Sequence, residues 1–382
     1  MTPRVIAAGL VPLVLVAGLV AFITGPGGIT AGIDPLPDIT IERVDFVDSE
    51  VRVVVRNTGP VPVDIVQGDI NDRIQPSAVE PDGHLERFET AVLRIPYAWN
   101  EAEPYAIGVT VHDGTRFERV VEAAAPAVPV DLEQAGLLAL AGTYMGVIPV
   151  FIGLAWLPFI RRLNQKSISF FLALTAGLLL FIGVDSAEEA LGVSAENLAG
   201  SMNGALLVLA SAGCAFLALQ YVSGRLASTG ALGSGSAMGA ALMVSVGIGL
   251  HNFGEGLALG AAISLGSAAF SVYLLAGFAM HNTTEGIAIA SPLAGRNRVA
   301  RRLVMLGVVA GFPAVLGAWA GGFAYSPISS VVFLAVGSGA AFQVAVTVAR
   351  WVARGPGGMT SPHVCGGLAA GLLIMYVTSI VL

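Results

Sequence analysis

Charge is what this sequence has least of. Asp, Glu, Lys and Arg make up 12% of the 382 residues, and Lys166 is the single lysine. A soluble domain carries about a quarter charged residues, so a chain this poor in charge cannot cover itself with polar groups in water. Cysteine is scarce too. Cys214 and Cys365 lie in separate apolar stretches, with no C-x-x-C pair and no disulfide framework. Both are expected to be small apolar packing residues and do not report a redox compartment. No basic patch is available to hold phosphates, which excludes nucleic acid as a partner. What is abundant is apolar and small: 55% hydrophobic residues, 48 glycines and a mean hydropathy of +0.79. Glycine is more frequent in membrane helices than in soluble ones, and the composition is that of a polytopic membrane protein.

The net charge of −7 is unevenly placed: residues 31–130 hold 18 Asp or Glu against 8 Arg. Ahead of this acidic stretch, residues 5–24 are apolar behind Arg4. A run of about twenty such residues spans a bilayer of about 30 Å. Residues 1–30 are therefore expected to be a signal-anchor or a signal peptide, the TGPGG that follows leaving room for cleavage. Within 31–130, segments such as EVRVVVRN, PVDIVQGDI and AIGVTVHDG are short and β-branched, with turn signals NTGP, PDG and HDG between them. About seven strands in a hundred residues predict a small β-sandwich. His84 and His112 each flank a turn and are expected at its surface.

Residues 131–382 form the third region, with apolar spans predicted near 134–160, 168–190, 201–223, 236–262, 267–291, 303–322, 328–350 and 363–382. Its basic residues are Arg161, Arg162, Lys166, Arg225, Arg296, Arg298, Arg301, Arg302, Arg350 and Arg354. With the β domain outside, all fall in cytoplasmic loops or helix ends, and none in the loops near 191–200, 263–266 and 323–327. This is the bias that sets membrane orientation. The fold expected is mainly α: an eight-span transporter core in the plasma membrane, with an N-terminal anchor helix and a small extracytoplasmic β-sandwich.

Two of these spans carry the same pattern. His251-Asn252-Phe253-Gly254-Glu255-Gly256 and His281-Asn282-Thr283-Thr284-Glu285-Gly286 both read H-N-x-x-E-G, on consecutive spans joined by a short loop. At about 100° per residue, a glutamate four positions after a histidine lies about 40° round the helix and the asparagine about 100°. Each helix thus presents an imidazole, a carboxylate and an amide on one arc. Facing each other, the two arcs make a pocket of nitrogen and oxygen ligands suited to zinc, iron(II) or manganese. An ionised carboxylate at the bilayer centre costs about 3 kcal/mol even on the lenient insertion scale. Polar contacts between membrane helices average only about 0.6 kcal/mol. Two such carboxylates therefore call for a cation or a proton.

These motifs resemble those of the ZIP family of zinc- and iron-regulated metal transporters, whose members have eight spans and H-N-x-P-E-G-like sequences on spans four and five. The resemblance covers residues 134–382 and leaves out the anchor and the β domain. It implies that His251, Glu255, His281 and Glu285 hold one metal. It further implies that Asn252 and Asn282 face a second position bridged by the glutamates, and that the cargo is zinc, iron, manganese or cadmium moving toward the cytoplasm. Three features depart from the family. Gly254 and Thr284 replace the proline before each glutamate, Ala314 stands where span six often carries a glutamate, and the loop near 224–235 has no histidine. One-metal and two-metal centres both remain open.

Asp185, Glu188 and Glu189 are read as the outer end of span two, either collecting cations at an entrance or forming a solvated helix end. Gln343 either lines the path or bonds a neighbouring helix, and His363 is expected at the interface. The function expected is transport of a divalent ion (Zn2+, or else Fe2+, Mn2+ or Cd2+) by alternating access, with no enzymatic activity. The alternative is an intramembrane metal-dependent hydrolase, although no H-E-x-x-H is present. Partners expected are the metal ion, membrane lipid, a second copy of the chain as a homodimer, and an unknown ligand of the β domain.

Overall fold

The computed structural model describes residues 14–22, 35–127, 131–198, 202–228, 237–264, 268–296, 298–353 and 357–381. Residues 14–22 are helical and exposed (α1). The rest of the expected anchor, Arg4, Arg354, the loop at 229–235 and the turn beyond Ser264 lie outside the described residues.

Nine strands follow α1: β1 (Ile39–Val47), β2 (Glu50–Asn57), β3 (Val63–Ile70), β4 (Arg73–Gln75), β5 (Ala78–Glu80), β6 (His84–Leu85), β7 (Thr90–Pro96), β8 (Tyr105–Val111) and β9 (Arg116–Val121). One antiparallel sheet runs β1-β2-β7-β5, and the other β4-β3-β8-β9 with β6 also on β3. Strict alternation in β2 sends Val51, Val53 and Val55 inward and Arg52, Val54 and Arg56 outward, the period-2 pattern of a half-buried strand. Their cross-strand partners Ile95, Leu93 and Ala91 are buried with them, and the second sheet adds Ile65, Ile107, Val109 and Val111 to the same core. Three of the nine strands are two or three residues long, too short to show a period in the sequence.

Beyond residue 131 the chain is helical: α2 (Leu132–Gly142), a π-turn at Thr143–Val147, α3 (Ile148–Leu154), α4 (Leu157–Ile160), α5 (Gln165–Asn197), α6 (Gly204–Ser228), α7 (Ala237–Ser264), α8 (Ala268–Ala290), α9 (Ala300–Gly311), α10 (Pro313–Ala324), α11 (Pro327–Ala353) and α12 (Pro362–Val381). Among the described residues, seven helical stretches are long and apolar enough to cross a membrane. The helix missing from that set is α8, in which His281, Asn282, Thr283, Thr284 and Glu285 stand in succession.

Three expected spans differ in shape. The first is broken by the π-turn, by Pro149 and by a turn at Ala155–Trp156, and the sixth is split at Phe312 because Pro313 has no N–H to continue the ladder. The second runs to Asn197, well past the predicted 190, since ALGVSAEN has no proline and its one glycine, Gly192, is carried inside the helix. Asp185, Glu188 and Glu189 therefore lie two turns or more inside α5 and are not its end. Cys214 and Cys365 are free and, against expectation, exposed, with Cys365 Sγ 3.7 Å from the Met359 carbonyl.

The helices sort into two groups. In one, α2, α3, α9 and α10 surround α7 and α8; in the other, α5 packs on α6, α11 and α12; contacts of α11 with α7 and of α5 with α8 close the seam. Glycine sets the spacing within the first group. A Cβ on Gly153 would fall on the Thr283 carbonyl, and one on Gly286 on the Val150 carbonyl, so α3 and α8 meet backbone to backbone.

The β domain seats on the second group. Glu42, buried in β1, accepts from Arg56 Nε at 2.6 Å and from Ser326 Oγ, just before α11, at 3.0 Å. Beside this contact, a polar cleft of about 420 Å³ separates β1 and β9 from the end of α5 at Glu196–Leu198. The domain thus touches the end of the bundle whose loops carry no basic residue, while at a basic loop Arg161 bonds the Arg296 carbonyl. Glu42→Ala removes the carboxylate partner of Arg56, which keeps the Phe88 carbonyl, and deprives Ser326 of its acceptor. Hydrogen bonds to charged groups contribute about 1.5–3 kcal/mol, so thermal unfolding of the full protein shifts down. An unmoved transition would show that this contact does not hold the domain.

Candidate metal centre

Helical phase on α7 and α8 turns both H-N-x-x-E-G motifs toward each other, and all six polar side chains are buried. One ligand atom each from His251, Glu255 and His281 lie within 4.8 Å of one another. Glu255 is at the centre: its Oε1 stands 2.9 Å from His251 Nε2 and also against His281 Nε2, while Oε2 accepts from Asn282 Nδ2 at 3.2 Å. The imidazoles face each other with ring centroids 6.2 Å apart. His251 Nε2 is close to Glu255 Oε1 yet makes no hydrogen bond. At 2.9 Å the imidazole nitrogen and the carboxylate oxygen are at ion-pair distance.

Four further buried oxygens have no hydrogen-bond partner: Asn252 Oδ1, Asn282 Oδ1 and both carboxylate oxygens of Glu285. An unpaired buried polar group is destabilising by about 1–3 kcal/mol, and more if charged. Four acceptors without a donor call for a cation or for a proton on Glu285. Glu285 is not part of the three-ligand cluster but lies within electrostatic reach of both imidazoles. Glu255 falls between both imidazoles, and Glu285 stands beside Asn252. The residues divide into a nitrogen-rich position (His251, His281, Glu255) and an oxygen-rich one (Asn252, Asn282, Glu285). Asn282 and Glu255 connect them.

Neighbouring helices hold these groups in place. Ser186 on α5 lies 3.2 Å from His251 Nδ1, so the histidine is fixed from behind, as outer-shell partners of metal-bound imidazoles do. Asn252 Nδ2 donates to the Ala310 carbonyl at 3.0 Å and Asn282 Nδ2 to the Met145 carbonyl at 3.0 Å. Sequence reasoning missed Ser186 and both carbonyls. Serine is too common in membrane helices to stand out, and a carbonyl has no residue type to read.

The other candidates separate clearly. Asp185 and Glu189 are exposed on α5 yet within electrostatic reach of His251 and Glu255, and Glu188 neighbours Asp185; none of the three joins the ligand cluster. Gln343 is buried and bonds Gln220 on α6 at 3.4 Å and Thr347 at 3.0 Å, which is the helix-bonding reading. His363 and His112 are exposed, and His84, half exposed, pairs with Asp64 at 2.8 Å. Asp64 holds the His84 imidazole above its ordinary value. Ala314 is buried, with Gly146 close to its Cβ and Gly256 close to its carbonyl. No protein-family model matches the chain, and no curated protein matches it.

Proposed function

We propose that this protein carries a divalent transition-metal ion, zinc first and iron(II), manganese or cadmium next, across the membrane toward the cytoplasm. The observation that carries the reading is the buried His251–Glu255–His281 cluster with the unpaired oxygens of Asn252, Asn282 and Glu285 beside it. Two imidazoles and a carboxylate are a ligand set that zinc accepts readily, and the oxygen-rich half suits manganese or iron(II). The resemblance of both motifs to those of ZIP transporters favours the same reading.

In this reading α8 is the eighth span, completed by its neighbours and not by its own hydropathy. The β domain is extracytoplasmic, the basic loops cytoplasmic, and the plasma membrane is the site of action. An ion passes Asp185 and Glu189, sheds water and binds between α7 and α8. The two helix groups then shift so that the site opens inward, as in other carriers with a site at the bilayer midplane.

The test is metal accumulation in liposomes holding the purified protein, over a panel of Zn2+, Fe2+, Mn2+ and Cd2+. Accumulation of none of them sinks the proposal. Acid sharpens it. Histidine and glutamate bind metal only when deprotonated, and an ordinary histidine titrates near about 6.5. Initial uptake therefore falls as the outer pH goes from about 7.5 to about 5.5, across that value. Uptake that rises with acid would contradict competition between protons and metal for these ligands.

A further inference from the structure

The end of the bundle away from the β domain carries a second group of charges, all of one sign. Arg161 and Arg162 follow α4, and Lys166 stands in the first turn of α5. Arg296, Arg298, Arg301 and Arg302 lie around the start of α9. All of them are exposed. No Asp or Glu occurs in residues 134–184 or 286–382. Among the described residues, none of these cations makes an ion pair.

Packing sets the two segments side by side. Arg161 Nη2 donates to the Arg296 carbonyl. Leu157, Ile160, Leu293 and Val299, which flank the charges, are buried in one core, and Leu163 and Leu303 pack against it. The cations are thus held together although like charges repel. Lys166 in α5, and Arg301 and Arg302 in α9, also stand in first turns, where the helix dipole disfavours a cation. Beside the charges, Trp156 and Phe159 are exposed and meet edge to face, with ring centroids 5.9 Å apart. Just beyond Arg302, α9 exposes Val304, Met305 and Val308. Phe151 and Leu154 press against Gly307, so α3 and α9 are neighbours and the apolar flank adjoins the charges.

We propose that this patch seats an anionic phospholipid of the leaflet that it faces. The headgroup phosphate takes the Arg and Lys side chains, and the acyl chains lie along Trp156, Phe159 and the apolar side of α9. An anion there offsets both the mutual repulsion of the cations and their placement against two helix dipoles. Basic clusters between spans bind anionic headgroups in this way, and aromatic side chains gather at headgroup level. The bias that orients a membrane protein asks for basic residues at this end. It does not ask that so many of them gather in two adjoining segments. The apolar flank selects a lipid over free phosphate, which has nothing to lay there. The seat does not depend on the metal-carrying reading.

The experiment reads Trp156 fluorescence in full-length protein whose Trp99, Trp319 and Trp351 are replaced by Phe, reconstituted in phosphatidylcholine bilayers. The probes are brominated phosphatidylglycerol and brominated phosphatidylcholine, which quench a tryptophan that they touch. With all cations of the patch present, the phosphatidylglycerol probe quenches at a mole fraction lower by about tenfold. Joint replacement Arg162→Gln, Lys166→Gln, Arg301→Gln and Arg302→Gln brings the two probes close to parity, and Lys166→Gln with Arg302→Gln goes part of the way. Arg225→Gln with Arg350→Gln, at the same end but outside the patch, leaves the preference as it was. Inorganic phosphate added at constant ionic strength does not displace the lipid. Equal quenching by both probes before any cation is removed, a preference that survives the fourfold replacement, or an equal loss from the control pair overturns the proposal. Displacement by phosphate makes the patch a site for the free anion and overturns the lipid assignment. If the Phe-substituted protein does not fold, the thermal transition of the chain with its own tryptophans decides. Phosphatidylglycerol in the bilayer must raise that transition, and the fourfold replacement must abolish the rise.

Discussion

Glu255→Ala abolishes metal uptake while leaving the protein folded. Glu255 is the one side chain that meets both imidazoles and the Asn282 amide, so its removal dismantles the three-ligand cluster and cuts the link to the oxygen-rich half. The loss exceeds the about 10- to 100-fold typical of an outer-shell partner. Stability falls as well. Glu255 pairs with both imidazoles and with Asn282, and removing one partner of a buried pair costs about 3–5 kcal/mol, so the metal-free variant unfolds at a lower temperature than the wild type. Metal raises the wild-type transition by binding only the folded state and leaves that of the variant where it was. Retained uptake of zinc and manganese by a well-folded Glu255→Ala protein would remove the basis for the site.

Gly286→Val has the second large effect, through packing alone. The α-carbon of Gly153 would stand 2.8 Å from a Cβ on Gly286, with Leu154 N at 2.9 Å, so the new side chain meets backbone that cannot yield. Overpacking costs about 1–3 kcal/mol where side chains can adjust, and here the helices must separate. Because α8 carries His281, Asn282 and Glu285, its displacement pulls half of the ligands from the other half. The variant therefore loses thermal stability and metal binding together. Gly192→Val is the control: nothing lies within 4 Å of a Cβ there, and it leaves both properties unchanged. Wild-type stability for Gly286→Val would mean that α3 and α8 do not meet so closely.

Much of this was legible in the sequence because it depends on local period and spacing. The H-N-x-x-E-G repeat already places six groups on two facing arcs, since the angle between positions follows from helix geometry. β2 declares itself by alternation, and the prolines at 149 and 313 mark the breaks in spans one and six. Other features depend on how helices cross. That Glu255 and not Glu285 falls between the imidazoles follows from the α7–α8 approach, which no residue spacing encodes. Ser186 reaches His251 only because α5 packs at the seam. The run of α5 to Asn197 escaped notice because no proline follows the apolar zone and Gly192 sits inside the helix rather than at its end. Cys214 shows the converse: an apolar neighbourhood in sequence does not separate a packed face from an outward one.

The polarity of α8 bears on how the chain is made. Five consecutive polar residues would hinder a lone segment from leaving the translocon for lipid. By the time α8 emerges from the ribosome, α3 and α7 have already been synthesised, and they offer the glycine seam at Gly153 and the Glu255 carboxylate that accepts from Asn282. Partition of α8 is then a matter of joining a half-built neighbour rather than dissolving in acyl chains. On this view, the order of synthesis decides whether the second half of the ligand set reaches the bilayer.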